Sequence, residues 1–69
     1  MTNEARTYAI RTRTRLTGIT KTTGRATGTR HSEAFQWLRQ QARQLELTGR
    51  YDKIEIVDFE TKQTVLTIH

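Results

Sequence analysis

The sequence contains no cysteine, which excludes a disulfide framework and any thiolate metal site. No apolar run approaches the roughly 18 residues that a membrane-spanning helix requires. The start, "MTNEARTYAI", has neither the basic opening nor the apolar stretch of a secretory signal. Together these absences lead to the expectation of a soluble cytoplasmic protein. Serine occurs once, as Ser32, with His31 and Glu33 beside it. Immediate neighbours in sequence do not converge on a nucleophile as a triad must, so "HSE" reads as a helix start. His31 and His69 have no metal-ligand spacing to each other or to a carboxylate cluster. The stretch "TTGRATGTR" has two glycines but lacks the Lys-Ser/Thr and the spacing of a phosphate-cradling loop. Glu55 and Asp58, three apart on a strand, point to opposite faces and form no carboxylate pair. A non-enzyme without metal or cofactor is the expectation.

What the chain does have is arginine, unevenly placed. Its 69 residues, enough for one small domain with a thin core, carry a net charge of +5. Residues 1–30 hold Arg6, Arg11, Arg13, Arg15, Lys21, Arg25 and Arg30 against Glu4 alone, a net +6. Residues 31–69 hold five basic and six acidic side chains, a net −1. The basic excess therefore belongs to the first half, where attraction to phosphate competes with plain solubility as its purpose.

In "YAIRTRTRLTG", Tyr8, Ile10, Thr12, Thr14 and Leu16 alternate with Ala9, Arg11, Arg13 and Arg15. The period of two predicts a strand with one face that packs and one that carries a row of guanidinium groups. Thr17-Gly18 supplies a turn signal. The threonine-rich segment from Ile19 to Arg30 reads as an exposed second strand hairpinned to the first, or as a mobile basic loop. Ser32 is the expected N-cap of a helix over about 33–47, with Glu33 in its first turn. Phe35, Leu38, Ala42 and Leu45 form its apolar stripe, and Gly49 ends it. The last segment, "YDKIEIVDFETKQTVLTIH", predicts a second hairpin with Ile54 opposite Ile68 and Ile56 opposite Leu66. This register is preferred because only it, or one slipped by two, keeps both apolar pairs inside. In it Glu55–Thr67 and Val57–Val65 face the other way, and Phe59 pairs with Gln63 around a loop over Glu60, Thr61 and Lys62. The predicted fold is α+β, one helix on one face of a mainly antiparallel four-stranded sheet.

Such a sheet leaves one face uncovered, with Arg11, Arg13 and Arg15 as a comb and Glu55, Val57, Val65 and Thr67 beside them. Exposed charges of this kind are expected to add little to stability. Guanidinium groups bind phosphate oxygens two at a time, and the interleaved threonines donate as well. Arg11, Arg13, Arg15, Lys21, Arg25 and Arg30 are thus the candidate contacts to nucleic acid or to a nucleic-acid-loaded complex. Pairing of the arginines with Glu55 across the sheet is the structural alternative. A competing reading makes Trp37, with Val57 and Val65, an anchor for a protein partner, leaving the basic face to serve solubility.

The strand-strand-helix-strand-strand order, the opening "TYAI" strand and the closing "KIEIVDFETKQTVLTI" hairpin resemble the small anti-CRISPR proteins of phages and mobile elements. One family of type I-F inhibitors is similar in size and layout. It binds the backbone subunits that line the guide RNA and obstructs target DNA pairing. The resemblance implies a non-enzymatic inhibitor whose partner is a ribonucleoprotein complex. It covers most of the chain but rests on element order, and the first strand here is far richer in arginine, so no binding residue carries over by identity.

Overall fold

Every apolar side chain that alternates along the strands or recurs along the helix needs a surface to bury against, and five elements provide it. The computed structural model describes residues 5–68. These comprise β1 (Arg6–Thr14), β2 (Thr20–Gly28), α1 (Glu33–Leu47), β3 (Tyr51–Asp58) and β4 (Thr64–Ile68). The strands form one antiparallel sheet in the order β2-β1-β3-β4, and α1 packs on one face of it. The segment from Ile19 to Arg30 is therefore mostly strand. No helix among the described residues is long and apolar enough to cross a membrane.

The helix has the ends that its sequence dictates. The Ser32 hydroxyl accepts from the Phe35 N–H at 3.3 Å and donates to the Thr29 carbonyl at 2.7 Å, which satisfies one of the orphan donors of the first turn. At the far end Gly49 takes a left-handed φ of 71° and donates its N–H to the Glu46 carbonyl. Phe35, Leu38 and Ala42 are buried against Tyr8, Ile10, Ile54 and Ile56. The Tyr8 and Phe35 rings meet edge to face with centroids 5.1 Å apart. Complete burial of each large aliphatic side chain here contributes about 1.5–3 kcal/mol.

Three bulges break the regular alternation, and each sorts side chains between the two faces. On β2, Gly24 and Arg25 together oppose Ala9, which keeps Ala26 beside Tyr8 in the core and sends Arg25 to the opposite face. Gly24 adopts φ 64°, and a Cβ there would lie 3.4 Å from Ile10 Cδ1. On β3 the register shifts between Lys53 and Tyr51, so that Tyr51 joins the core and Asp52 turns to Arg13. On β4 the register shifts at Val65, which packs toward the core and leaves Thr64 opposite Val57.

The last bulge corrects the predicted register. Ile54–Ile68, Glu55–Thr67 and Ile56–Leu66 pair as expected, but Val57 and Val65 do not. Gln63 offers its carbonyl to the Asp58 N–H, while the Phe59 N–H donates to Thr7 on β1. Strict alternation would have left Val65 on the open face; one extra residue turns it inward. Leu16 was expected on the packed face of β1, yet the strand ends at Thr14 and Leu16 lies in the following turn, 94% exposed.

Because Gly24 holds a left-handed conformation beside Ile10, Gly24→Ala should lower stability by about 1–2 kcal/mol. Urea unfolding followed by circular dichroism measures it; an unchanged midpoint would show that the bulge relaxes freely.

Candidate nucleic-acid interface

Side chains of one parity along β1 and β3 face away from the helix: Ala9, Arg11 and Arg13 on β1, and Lys53, Glu55 and Val57 on β3. Thr20, Thr22 and, through the bulge, Arg25 join them from β2. This face is open in the sense that no helix lies on it, but it is not bare. Ala9 and Val57 are buried, and Glu55 is only 5% exposed. The Phe59 ring sits here with the Arg25 guanidinium 4.9 Å and the Lys62 ammonium 4.2 Å from its centroid. Arg25 comes from β2 and Phe59 from the end of β3, so this cation–π contact crosses β1.

Glu55 is the electrostatic centre of the face. Its Oε1 accepts from Arg11 Nη2 at 3.0 Å and Nε at 3.2 Å, and its Oε2 accepts from the Thr64 hydroxyl at 2.7 Å. Lys53 Nζ stands 3.8 Å away. Burial pushes the Glu55 carboxyl up, but the hydrogen bonds from Thr64 and Arg11 and the two cations outweigh it, and the net shift is downward. The second comb residue, Arg13, donates through Nε to Asp52 at 2.8 Å, and this bond holds the Asp52 carboxyl below its ordinary value. At the other end of the sheet Arg6 donates to Asp58, lowering that carboxyl as well. Asp58 also accepts from the N–H groups of Glu60 and Thr61 and so shapes the β3–β4 turn.

The six basic residues picked out by the sequence are not one site. Arg11, Arg13 and Arg25 share the open face. Arg15 lies in the turn after β1, with Nη2 3.4 Å from the Tyr51 carbonyl. Lys21 is opposite Thr12 and therefore on the helix-covered side. Arg30 precedes α1 and lines a cleft with Phe35, Arg39 and Leu66. Arg11 is committed to a buried carboxylate, so at that residue the row is not the solvent-exposed charge that the expectation of little stability rested on. The Trp37, Val57 and Val65 surface does not exist as one patch. Trp37 is 47% exposed on the helix, Val57 is buried under the opposite face, and Val65 turns toward the core.

Sequence reasoning missed Lys53, Thr20 and the Phe59–Lys62 pair. Lys53 was accessible from its parity with Glu55. The position of Lys62 depends on a turn residue with φ 65°, which no alternation rule supplies. Arg11, Arg13, Thr20, Lys53 and Glu55 surround an open cleft of about 270 Å³ between β2, β1 and β3. Three cations, one carboxylate and the Thr20 hydroxyl line it; Arg11 is paired with Glu55, Arg13 with Asp52 beside the cleft, and Lys53 stands 3.8 Å from Glu55. Comparison with family models, curated proteins and solved structures gave no match.

Arg11→Gln removes the charged donor of a buried carboxylate and should cost about 1–3 kcal/mol. Arg13→Gln should leave the melting temperature nearly unchanged. Equal losses in thermal unfolding would place both arginines in the same structural role. Because Glu55, Asp52 and Asp58 all titrate below their ordinary values, they stabilise the fold above those values, 4.5 for Glu and 3.8 for Asp. That contribution is lost as pH falls through their lower folded-state values. Stability should therefore hold above about pH 5 and decline below about pH 4. Glu55→Gln should be less stable at neutral pH and show a shallower acid decline; an unaltered pH profile would exclude Glu55 as its source.

Proposed function

We propose that the chain is a non-enzymatic cytoplasmic binding protein whose open sheet face takes the phosphate backbone of nucleic acid, alone or within a nucleic-acid-loaded protein complex. The observation that carries this reading is the cationic cleft between β2, β1 and β3. Two carboxylates, Asp52 and Glu55, face five cations on or over the same face: Arg11, Arg13, Lys53, Arg25 and Lys62. Arg11 is held by Glu55 and Arg13 by Asp52, which leaves Arg25 and Lys62, with Lys53 at 3.8 Å from the Glu55 carboxylate, to meet phosphate. Thr20 and Thr22 add hydroxyl donors at β-strand spacing. Contacts of this type position a backbone without reading bases, so weak dependence on base sequence follows. An inhibitor of the anti-CRISPR kind, acting on a ribonucleoprotein, is the specific form of this reading that the element order resembles.

Fluorescence anisotropy with labelled single-stranded DNA and RNA at low and moderate salt tests it. Binding should weaken with salt, and Lys53→Gln and Arg25→Gln should each reduce the log–log slope by roughly 0.7–0.9. No binding at low salt rules out direct contact with nucleic acid. A pull-down that survives nuclease treatment then assigns the partner to protein.

A further inference from the structure

The two edges of the sheet are built differently. β2 is nine residues long but carries Lys21, Arg25 and the Gly24 bulge, devices that discourage another strand from pairing. β4, "TVLTI", has no charged residue and no proline, and a bulge only at its start. Its outer edge has no strand beside it among the described residues. The helix lies mainly over β2, β1 and β3 and touches β4 least. Between α1 and β4 this leaves a continuous groove of two open clefts, about 550 and 470 Å³, which share Arg39 and Leu66.

The groove has an apolar floor and a cationic wall. Leu66 and Ile68 of β4 form the floor, with Phe35 at one end and Leu47, 80% exposed, at the other. Arg30, Arg39 and Arg43 stand along it, and Glu46 is its one carboxylate. None of these three arginines has a carboxylate of the described residues within ion-pair distance. Each feature selects against a different occupant. A second copy would bring a basic groove against a basic groove, on a chain already at +5. Nucleic acid would satisfy the arginines but would gain nothing from Leu47, Leu66 and Ile68. Side chains two residues apart on an added strand share a face. An extended peptide whose groove-facing positions, every second residue, carry apolar and acidic side chains in turn therefore satisfies all three: backbone to the β4 edge, apolar groups to the floor, carboxylates to Arg39 and Arg43.

We infer that the β4 edge and its groove dock an extended acidic segment of a partner protein as a fifth strand. This surface lies on the other side of the sheet from the cationic cleft and is independent of it.

The test uses the full chain and a fluorescent glutamate–valine peptide of about seven residues, with valine and glutamate in turn at every second position and threonine between them. Amide chemical-shift mapping should place it at Val65–Ile68 and along the Arg39–Leu47 side of the helix, leaving Lys53 and Arg25 unshifted. Arg39→Glu with Arg43→Glu should weaken binding by about tenfold or more, which corresponds to ~1.4 kcal/mol, without altering the circular dichroism melt. A strand's N–H groups point alternately to its two edges, so N-methylation of one set of alternate peptide amides should abolish binding and that of the other set should not. Three results overturn the inference: no binding of the glutamate–valine peptide, equal binding of the peptide with lysine in place of glutamate, or affinity unaffected by N-methylation of either set of alternate amides. Displacement of the bound peptide by single-stranded DNA with shifts at β4 would overturn it in favour of nucleic acid. Concentration-dependent dimerisation through β4 would overturn it in favour of a second copy.

Discussion

A carboxylate with almost no access to water must be hydrogen-bonded and charge-compensated, and Glu55 places that demand on the middle of an uncovered sheet face. Three strands meet it. β1 supplies Arg11, directly across the sheet; β4 supplies the Thr64 hydroxyl; and β3 itself supplies Lys53, one pleat away. Thr64 reaches Glu55 only because the β4 register shifts by one residue at Val65. Electrostatics and strand register are thus one constraint, since undoing the bulge would expose Val65 and take the threonine from the carboxylate.

The same logic recurs at Asp52. Regular alternation from Ile54 would turn Asp52 toward the helix and Tyr51 toward solvent. The register shift reverses both, giving the core a tyrosine and Arg13 an acceptor. Bulges in this small sheet therefore compensate for a thin core: each recruits an extra partly apolar side chain inward and delivers a polar one to the open face. Gly24 makes the third possible by accepting a left-handed backbone close to Ile10.

These pairings redistribute the charge available to a partner. The most conspicuous arginines in the sequence are the most occupied in the fold. Arg6, Arg11 and Arg13 each hold a carboxylate, while Arg25, Lys62, Arg30, Arg39 and Arg43 hold none among the described residues. The basic character of the surface consequently divides in two, one part on the open sheet face and the other in the groove between α1 and β4. One part has hydroxyls and a shallow cleft; the other has an apolar floor beside an unblunted strand edge. The two surfaces suit different chemistries.

The sequence alone determined what depends on local periodicity. Alternation along Tyr8–Thr14, the three-and-four spacing of Phe35, Leu38 and Ala42, the Ser32 cap and the Gly49 stop all depend on neighbours within a few residues. They set the elements, their order, the α+β class and the isoleucine pairs of the second hairpin. The tertiary structure decided everything that turns on a single residue of register. A bulge changes local alternation little but reverses the face of every side chain beyond it, so the positions of Asp52, Tyr51, Thr64, Val65 and Arg25 were not legible from spacing. Ion pairing was undecided for the same reason. The row of arginines was visible as a row, but whether Arg11 met solvent or a buried carboxylate depended on which strand lay opposite, and only the folded sheet places Glu55 there.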